Sequence, residues 1–282
     1  MSGDGATLDG GGAPRGGDGS RGRRHAPSAD VAVDRYRDFV QSEEYRRQRP
    51  GKARVVARVC GEELRAARRV ADLGAGTGIV KKELEEITSR SIVGFDLDRS
   101  FIEVEEGMAV ADVTRLPVAD GALDFAILNH LYEHVRDQAG LFRELHRALA
   151  PGGSAYVSAG SRWAVMEPHY RLPFLSWLPR PLADRYLRWT GRGEAYRGIR
   201  FLGWGRLTGL MQAAGFRVED RTLRTLDDLL PETRGEGWAV LWRAVRTLPE
   251  GLVERLLRAL SPQWFFLLRK PATGGDGEGR GA

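Results

Sequence analysis

Seven residues, Asp72-Leu73-Gly74-Ala75-Gly76-Thr77-Gly78, carry the chain from the end of a short apolar run, Val70–Leu73, into a helical pattern, and they leave few folds open. Glycine at alternate positions lets a backbone turn sharply and lets another group approach it closely. The following segment places Ile79, Val80, Leu84 and Ile87 on one helical face. Strand, glycine turn and helix form the opening of a βαβ unit. A dinucleotide fingerprint places its third glycine one position later, as G-x-G-x-x-G. This loop is G-x-G-x-G and starts on an acid. A pyrophosphate calls for bare amides and a positive helix end, whereas Asp72 suits a cationic ligand better.

The pattern continues through the next eighty residues. Ser91–Phe95, Phe125–Leu128 and Ser154–Ser158 read as further buried strands. Leu141, Phe142, Leu145 and Leu149 mark a second helix face, ended by Pro151-Gly152-Gly153. Alternating strands and helices imply a parallel sheet with right-handed crossovers. In such sheets ligands bind at the carboxyl ends of the strands. Polar residues recur there: Asp96 after the second strand, Asp112 after the apolar run Met108–Ala111, and Asn129 after Asp124–Leu128. An acid in the position of Asp96 can accept both hydroxyls of a ribose. Asp96 could instead cap a helix beginning near Asp98, and Asp112 could merely open a turn.

At this point the chain resembles the class I S-adenosylmethionine-dependent methyltransferases, nearest the small-molecule group that includes the quinone-biosynthesis enzymes. The resemblance rests on VADLGAGTG, VGFDLD, ADVTRLPVADGALDFAILNHLYEHV and ELHRALAPGG, in that order. It is strong over roughly residues 50 to 160. It implies an α/β fold: a Rossmann-like, seven-stranded, mostly parallel sheet with helices on both faces and an antiparallel last strand. It further implies S-adenosyl-L-methionine as cofactor. Gly74, Gly76 and Gly78 would line it, with Asp72 near the methionine end, Asp96 at the ribose, Asp112 and Val113 at the adenine, and Asn129 near the sulfonium. The last two strands are expected over Gly215–Leu223 and Gln263–Arg269, with a helical insertion over 236–260.

Acceptor chemistry is less legible. His130 and His169 are the candidate general bases, and Tyr132, Tyr170 and Trp177 the candidate substrate contacts. His134 reads as structural or cofactor-side. A metal centre fails on ligand count, since Cys60 is the one cysteine and no further histidine has convincing spacing. Residues 160–206, expected to form a lid over the substrate, hold nine arginines against three acids, interleaved with Trp163, Trp177, Trp189 and Trp204. Arginine suits phosphate or carboxylate, and arginine with tryptophan suits a membrane interface. The whole chain carries only +5, so the rest is near neutral and nucleic acid is not expected as a partner.

These features predict transfer of a methyl group to a small-molecule or lipid-linked, anionic acceptor, with oxygen the first choice of atom. Carbon methylation of a quinone-like or polyketide-like ring is the alternative. A catalytically silent module that binds a partner through the lid is an alternative of another class. Residues 1–28 and 271–282 lack the apolar residues needed to order a chain and are expected to be tails flanking one domain, 29–270. No obligate protein partner is evident, and a cytoplasmic location, with peripheral contact to the inner face of a membrane, is expected.

Overall fold

The computed structural model describes residues 43–233 and 235–272. The expected tail at 1–28, and 273–282 of the other, lie outside the described residues. Two helices, α1 (Glu43–Val59) and α2 (Gly61–Ala66), lead into β1 (Val70–Leu73), α3 (Ile79–Thr88), β2 (Ile92–Asp96), β3 (Met108–Val110), β4 (Leu123–Asn129), α4 (Gln138–Ala148) and β5 (Leu149–Gly160). The segment expected to form a lid follows, with a small hairpin, β6 (Met166–Glu167) and β7 (Leu172–Pro173), and helix α5 (Arg180–Trp189). Then come α6 (Trp204–Ala213), β8 (Arg217–Asp220), three helices α7 (Thr222–Thr233), α8 (Gly235–Val245) and α9 (Glu250–Leu260), and β9 (Gln263–Arg269).

Seven strands form one sheet in the order β3-β2-β1-β4-β5-β9-β8. The pairs from β3 to β5 are parallel, and β9 runs antiparallel to both of its neighbours. Central strands are apolar on both faces because helices cover both. Ala71, Leu73, Ala126, Leu128, Val157 and Phe266 face α4 and α6, packing on Leu141, Phe142, Leu145, Leu207 and Met211. The alternate residues Val70, Phe125, Ile127, Tyr156 and Leu267 face α1, α2 and α3, packing on Val56, Leu64, Val80 and Leu84. The period-two alternation therefore sorts each strand between two cores. Asp137 fixes the start of α4 by accepting a hydrogen bond from the Gly140 amide at 2.7 Å.

Two boundaries differ from expectation. β8 stops at Asp220, because the Asp220 carboxylate accepts the Thr222 amide at 3.0 Å and turns the chain into α7. The helical insertion consequently begins at Thr222 and comprises three helices. The order of strand addition reverses between β1 and β4, which are parallel: β2 and β3 lie to one side of β1, and β4 and β5 to the other. Such a reversal opens a crevice at the carboxyl ends of the strands. Among the described residues, no helix is long and apolar enough to cross a membrane.

Candidate active site

The glycine loop closes the end of β1. Gly74, Gly76 and Gly78 have φ of +71°, +57° and +79°, the left-handed region that side chains with a Cβ disfavour. A Cβ on Gly74 would lie 2.5 Å from Leu131 Cδ1, and one on Gly78 would lie 3.0 Å from the Val104 carbonyl oxygen. The loop is tied to β2 by amides of Gly74 and Ala75 donating to the Phe95 carbonyl at 2.7 and 3.0 Å. Asp96 accepts the Gly76 amide on Oδ2 at 2.8 Å and the Asp98 amide on Oδ1 at 3.0 Å. Both oxygens keep lone pairs for hydroxyl donors. It is Asp98, not Asp96, that caps the following short turn, accepting the Ser100 amide at 2.9 Å. Burial holds the Asp96 carboxyl above the usual carboxylate range, although the amides act against it. Asp72 is buried beneath the loop, and burial together with the Asp96 charge pushes its pKa up to about 7. A cation beside these two carboxyls would favour their charged forms.

Asp112 is exposed and its Oδ1 accepts both the amide and the hydroxyl of Thr114, at 2.8 and 2.7 Å, while Val113 is buried beside it. At the end of β4, Asn129 pairs with Ser158 of β5. His130 follows with φ +57°, a left-handed conformation that histidine adopts more readily than most residues. That turn brings both ring nitrogens onto protein groups: Nδ1 lies 3.2 Å from Glu133 Oε1, and Nε2 lies 3.3 Å from Ser158 Oγ. Gln263 of β9 donates to the same Ser158 hydroxyl at 2.9 Å. Desolvation and the Lys52 charge lower the pKa of His130. Glu133 is buried, and its Oε2 has no hydrogen bond.

Tyr132 holds both ends of the lid. Its hydroxyl donates to the Gly160 carbonyl at 2.6 Å and accepts from the Leu202 amide at 3.1 Å. The ring is buried and the hydroxyl already committed, so the expected substrate contact is instead an anchor between β4 and the lid. Tyr170 is also buried; its amide donates to Glu167 Oε2 at 2.7 Å. Trp177 is partly exposed, 5.7 Å from the Trp163 ring and donating to the Ala164 carbonyl at 3.0 Å. His169 is placed differently. Its Nδ1 lies 2.8 Å from Oε1 of the fully buried Glu167, and its ring packs edge-on against His134 at 5.1 Å. Burial lowers the pKa of His134 to about 4, so that ring is neutral at pH 7. Among the described residues, no cluster of three or more His, Cys, Asp or Glu could hold a metal ion.

Several lid arginines serve the lid itself. Arg180 donates to the Ile199 carbonyl at 2.6 Å, Arg188 to Glu194 at 3.0 Å and Arg192 to Tyr170 at 3.1 Å. Irregular backbone leaves carbonyls without ladder partners, and guanidinium groups satisfy them.

The methyltransferase-domain family matches residues 44–221, more than half of the chain. The chain belongs to that family. Its sheet, glycine cradle and strand-end acids fit S-adenosylmethionine, the methyl donor of class I methyltransferases. Among curated proteins, the methyltransferase is similar to a malonyl-[acyl-carrier protein] O-methyltransferase of Coxiella burnetii, 35% identical over 36% of this chain and 36% of that protein. It is 29% identical to a ubiquinone biosynthesis O-methyltransferase of Pseudomonas aeruginosa over 42% of this chain and 57% of that protein. The chain thus spans between about a third and somewhat over half of the relatives it matches. A solved S-adenosylmethionine-dependent methyltransferase from Archaeoglobus fulgidus shares the fold, with TM-score 0.52 at 17% identity over 83% of this chain and 99% of that one.

The sequence reading missed Glu167 as a partner of His169, along with Ser158 and Gln263 as partners of His130. Glu167 was visible as a carboxylate two residues before a histidine. Gln263 lies 105 residues from Ser158, and no local pattern joins them.

Proposed function

We propose that the methyltransferase methylates an oxygen of a small-molecule or lipid-linked acceptor held between the β4–β5 strand ends and the lid, with His169 as general base. The observation that carries this reading is the Glu167–His169 pair. A fully buried carboxylate fixes Nδ1 of a partly exposed imidazole at 2.8 Å, leaving Nε2 outside the hydrogen bonds of the described residues. A carboxylate on one nitrogen sets the tautomer and the orientation of the ring, leaving the other nitrogen to face a proton donor. His130 is less suited, because both of its nitrogens are occupied.

Bound S-adenosylmethionine supplies a methyl group already activated by the sulfonium charge. Asp96 would accept the ribose hydroxyls, Asp112 and Val113 would meet the adenine, and Asp72 with Gly74, Gly76 and Gly78 would take the methionine end, with Asn129 beside the sulfonium. His169 Nε2 takes the acceptor hydroxyl proton as that oxygen bonds to the methyl carbon. The donor, when bound, would leave as the neutral thioether, its sulfur keeping the electron pair of the carbon–sulfur bond. Alignment of oxygen, carbon and sulfur by the lid provides much of the rate. The names of two relatives, both O-methyltransferases, support oxygen as the target.

The test pairs His169→Ala and Glu167→Gln with a tritiated methyl donor and a panel of phenols and carboxylic acids. His169→Ala is expected to lower kcat about 10²–10⁴-fold with donor affinity unchanged. Turnover equal to wild type would refute His169 as the base. Persistence of transfer to a phenol whose hydroxyl is blocked would move the target from oxygen to carbon. Failure to bind the donor in isothermal titration would leave only the silent-module reading.

A further inference from the structure

The 160–206 segment and the late helical insertion meet in a broad, open groove of about 660 Å³. Trp163, Trp177 and Trp204 line it from the lid side, and Arg255, Arg258 and Leu260 from α9. Helix α9 exposes Leu252, Leu256 and Leu260, spaced four apart and therefore on one face, while Val253 is turned into the core. Phe174 packs edge-on against Trp177 at 5.0 Å and is itself half exposed. Soluble surfaces rarely gather this many large apolar side chains without an interaction to cover them.

We propose that this face docks the methyltransferase on a bilayer bearing anionic headgroups. Charge complementarity selects that occupant. Arg206, Arg255 and Arg258 line the groove, and no carboxylate does. Arg258 is stacked over the Trp204 ring at 4.6 Å and is balanced by Glu254 at 3.2 Å and Asp220 at 3.7 Å, so the exposed Arg206 and Arg255 carry the positive rim. Tryptophan and leucine beside arginine match the headgroup–acyl boundary, where an apolar body and a polar rim are both accommodated. A second copy of this chain is disfavoured, since a two-fold contact would set the arginine rim against itself. The groove is also too open to enclose most of the surface of a small ligand. The proposal rests on the groove-lining residues and stands whichever atom is methylated.

Co-sedimentation of the full chain with phosphatidylglycerol-containing vesicles tests it, with pure phosphatidylcholine vesicles as the comparison. The chain is expected to pellet with the anionic vesicles at low salt and to be released at high salt. Arg206→Gln and Arg255→Gln are each expected to lower partition about fivefold. Trp163→Ser with Leu260→Ser should abolish the quenching of tryptophan fluorescence by brominated phosphatidylcholine mixed into the anionic vesicles. Unchanged binding of the methyl donor in each variant verifies folding. No pelleting with anionic vesicles, or variants that pellet like wild type, would overturn the proposal. So would a lipid-independent dimer that the same substitutions dissociate.

Discussion

Asp72→Asn should make the apoprotein more stable at pH 8 and a poorer binder of its methyl donor. The carboxyl is 2% exposed, and burial with the neighbouring Asp96 charge holds its pKa near 7 rather than 3.8. An unfolded chain releases this proton near 3.8, whereas the folded chain keeps it to about 7. Between those values the folded state carries the extra proton. Its contribution to stability is therefore full at low pH and is lost as pH rises through the folded value. The gap from 3.8 to about 7, at ~1.4 kcal/mol for each pH unit, amounts to ~4 kcal/mol. Asparagine keeps the shape and has no proton to lose. Urea unfolding of both proteins without donor, at pH 4 to 8, isolates the residue as a difference between two curves. The wild-type curve should descend relative to the variant's by up to ~4 kcal/mol across that range. A cationic donor restores the value of the charge, so its binding should release a proton below pH 7. The variant should lose roughly 10–150-fold in affinity, as expected for a charge-assisted hydrogen bond of ~1.5–3 kcal/mol. Parallel stability curves, or donor affinity unaffected by the substitution, would refute the argument that a buried, destabilising carboxylate is retained for the ligand.

Two further substitutions or labels check the surrounding structure. Tyr132→Phe removes a hydroxyl that serves both Gly160 and Leu202, so it should cost ~1–3 kcal/mol in urea unfolding and speed proteolysis within 160–206, with donor affinity retained. Loss of donor binding instead would return Tyr132 to the site. Cys60 is fully buried, and desolvation pushes its thiol up to about 12, so a disulfide reagent should label the native chain only at the rate of unfolding. Rapid labelling of the native protein would show that the packing of α2 against the sheet is wrong.

The buried strands, the glycine turn between strand and helix and the strand-end polar residues were legible because each depends on local pattern. Short continuous apolar runs read as buried strands, and Phe125 and Ile127 enter one core while Ala126 and Leu128 enter the other. The left-handed turns of Gly74, Gly76 and Gly78 follow from the absence of a Cβ. Length of β8 was misjudged because Val218 and the residues around it continue a strand-like pattern, while Asp220 diverts the backbone by a side-chain hydrogen bond.

What sequence alone determined was therefore the βαβ core and the placement of acids at its ligand-binding edge, because neighbours along the chain create both. Tertiary structure decided how the side chains are spent. It turned Tyr132 into the anchor of the lid, since its hydroxyl meets Gly160 and Leu202 from distant parts of the chain. It closed both nitrogens of His130 with Glu133 and Ser158, and left His169 held by one buried carboxylate. It also divided an arginine-rich segment between carbonyls inside the lid and an outward face joined to α9. Composition counts charges, but only packing determines which of them meet a backbone oxygen and which meet solvent.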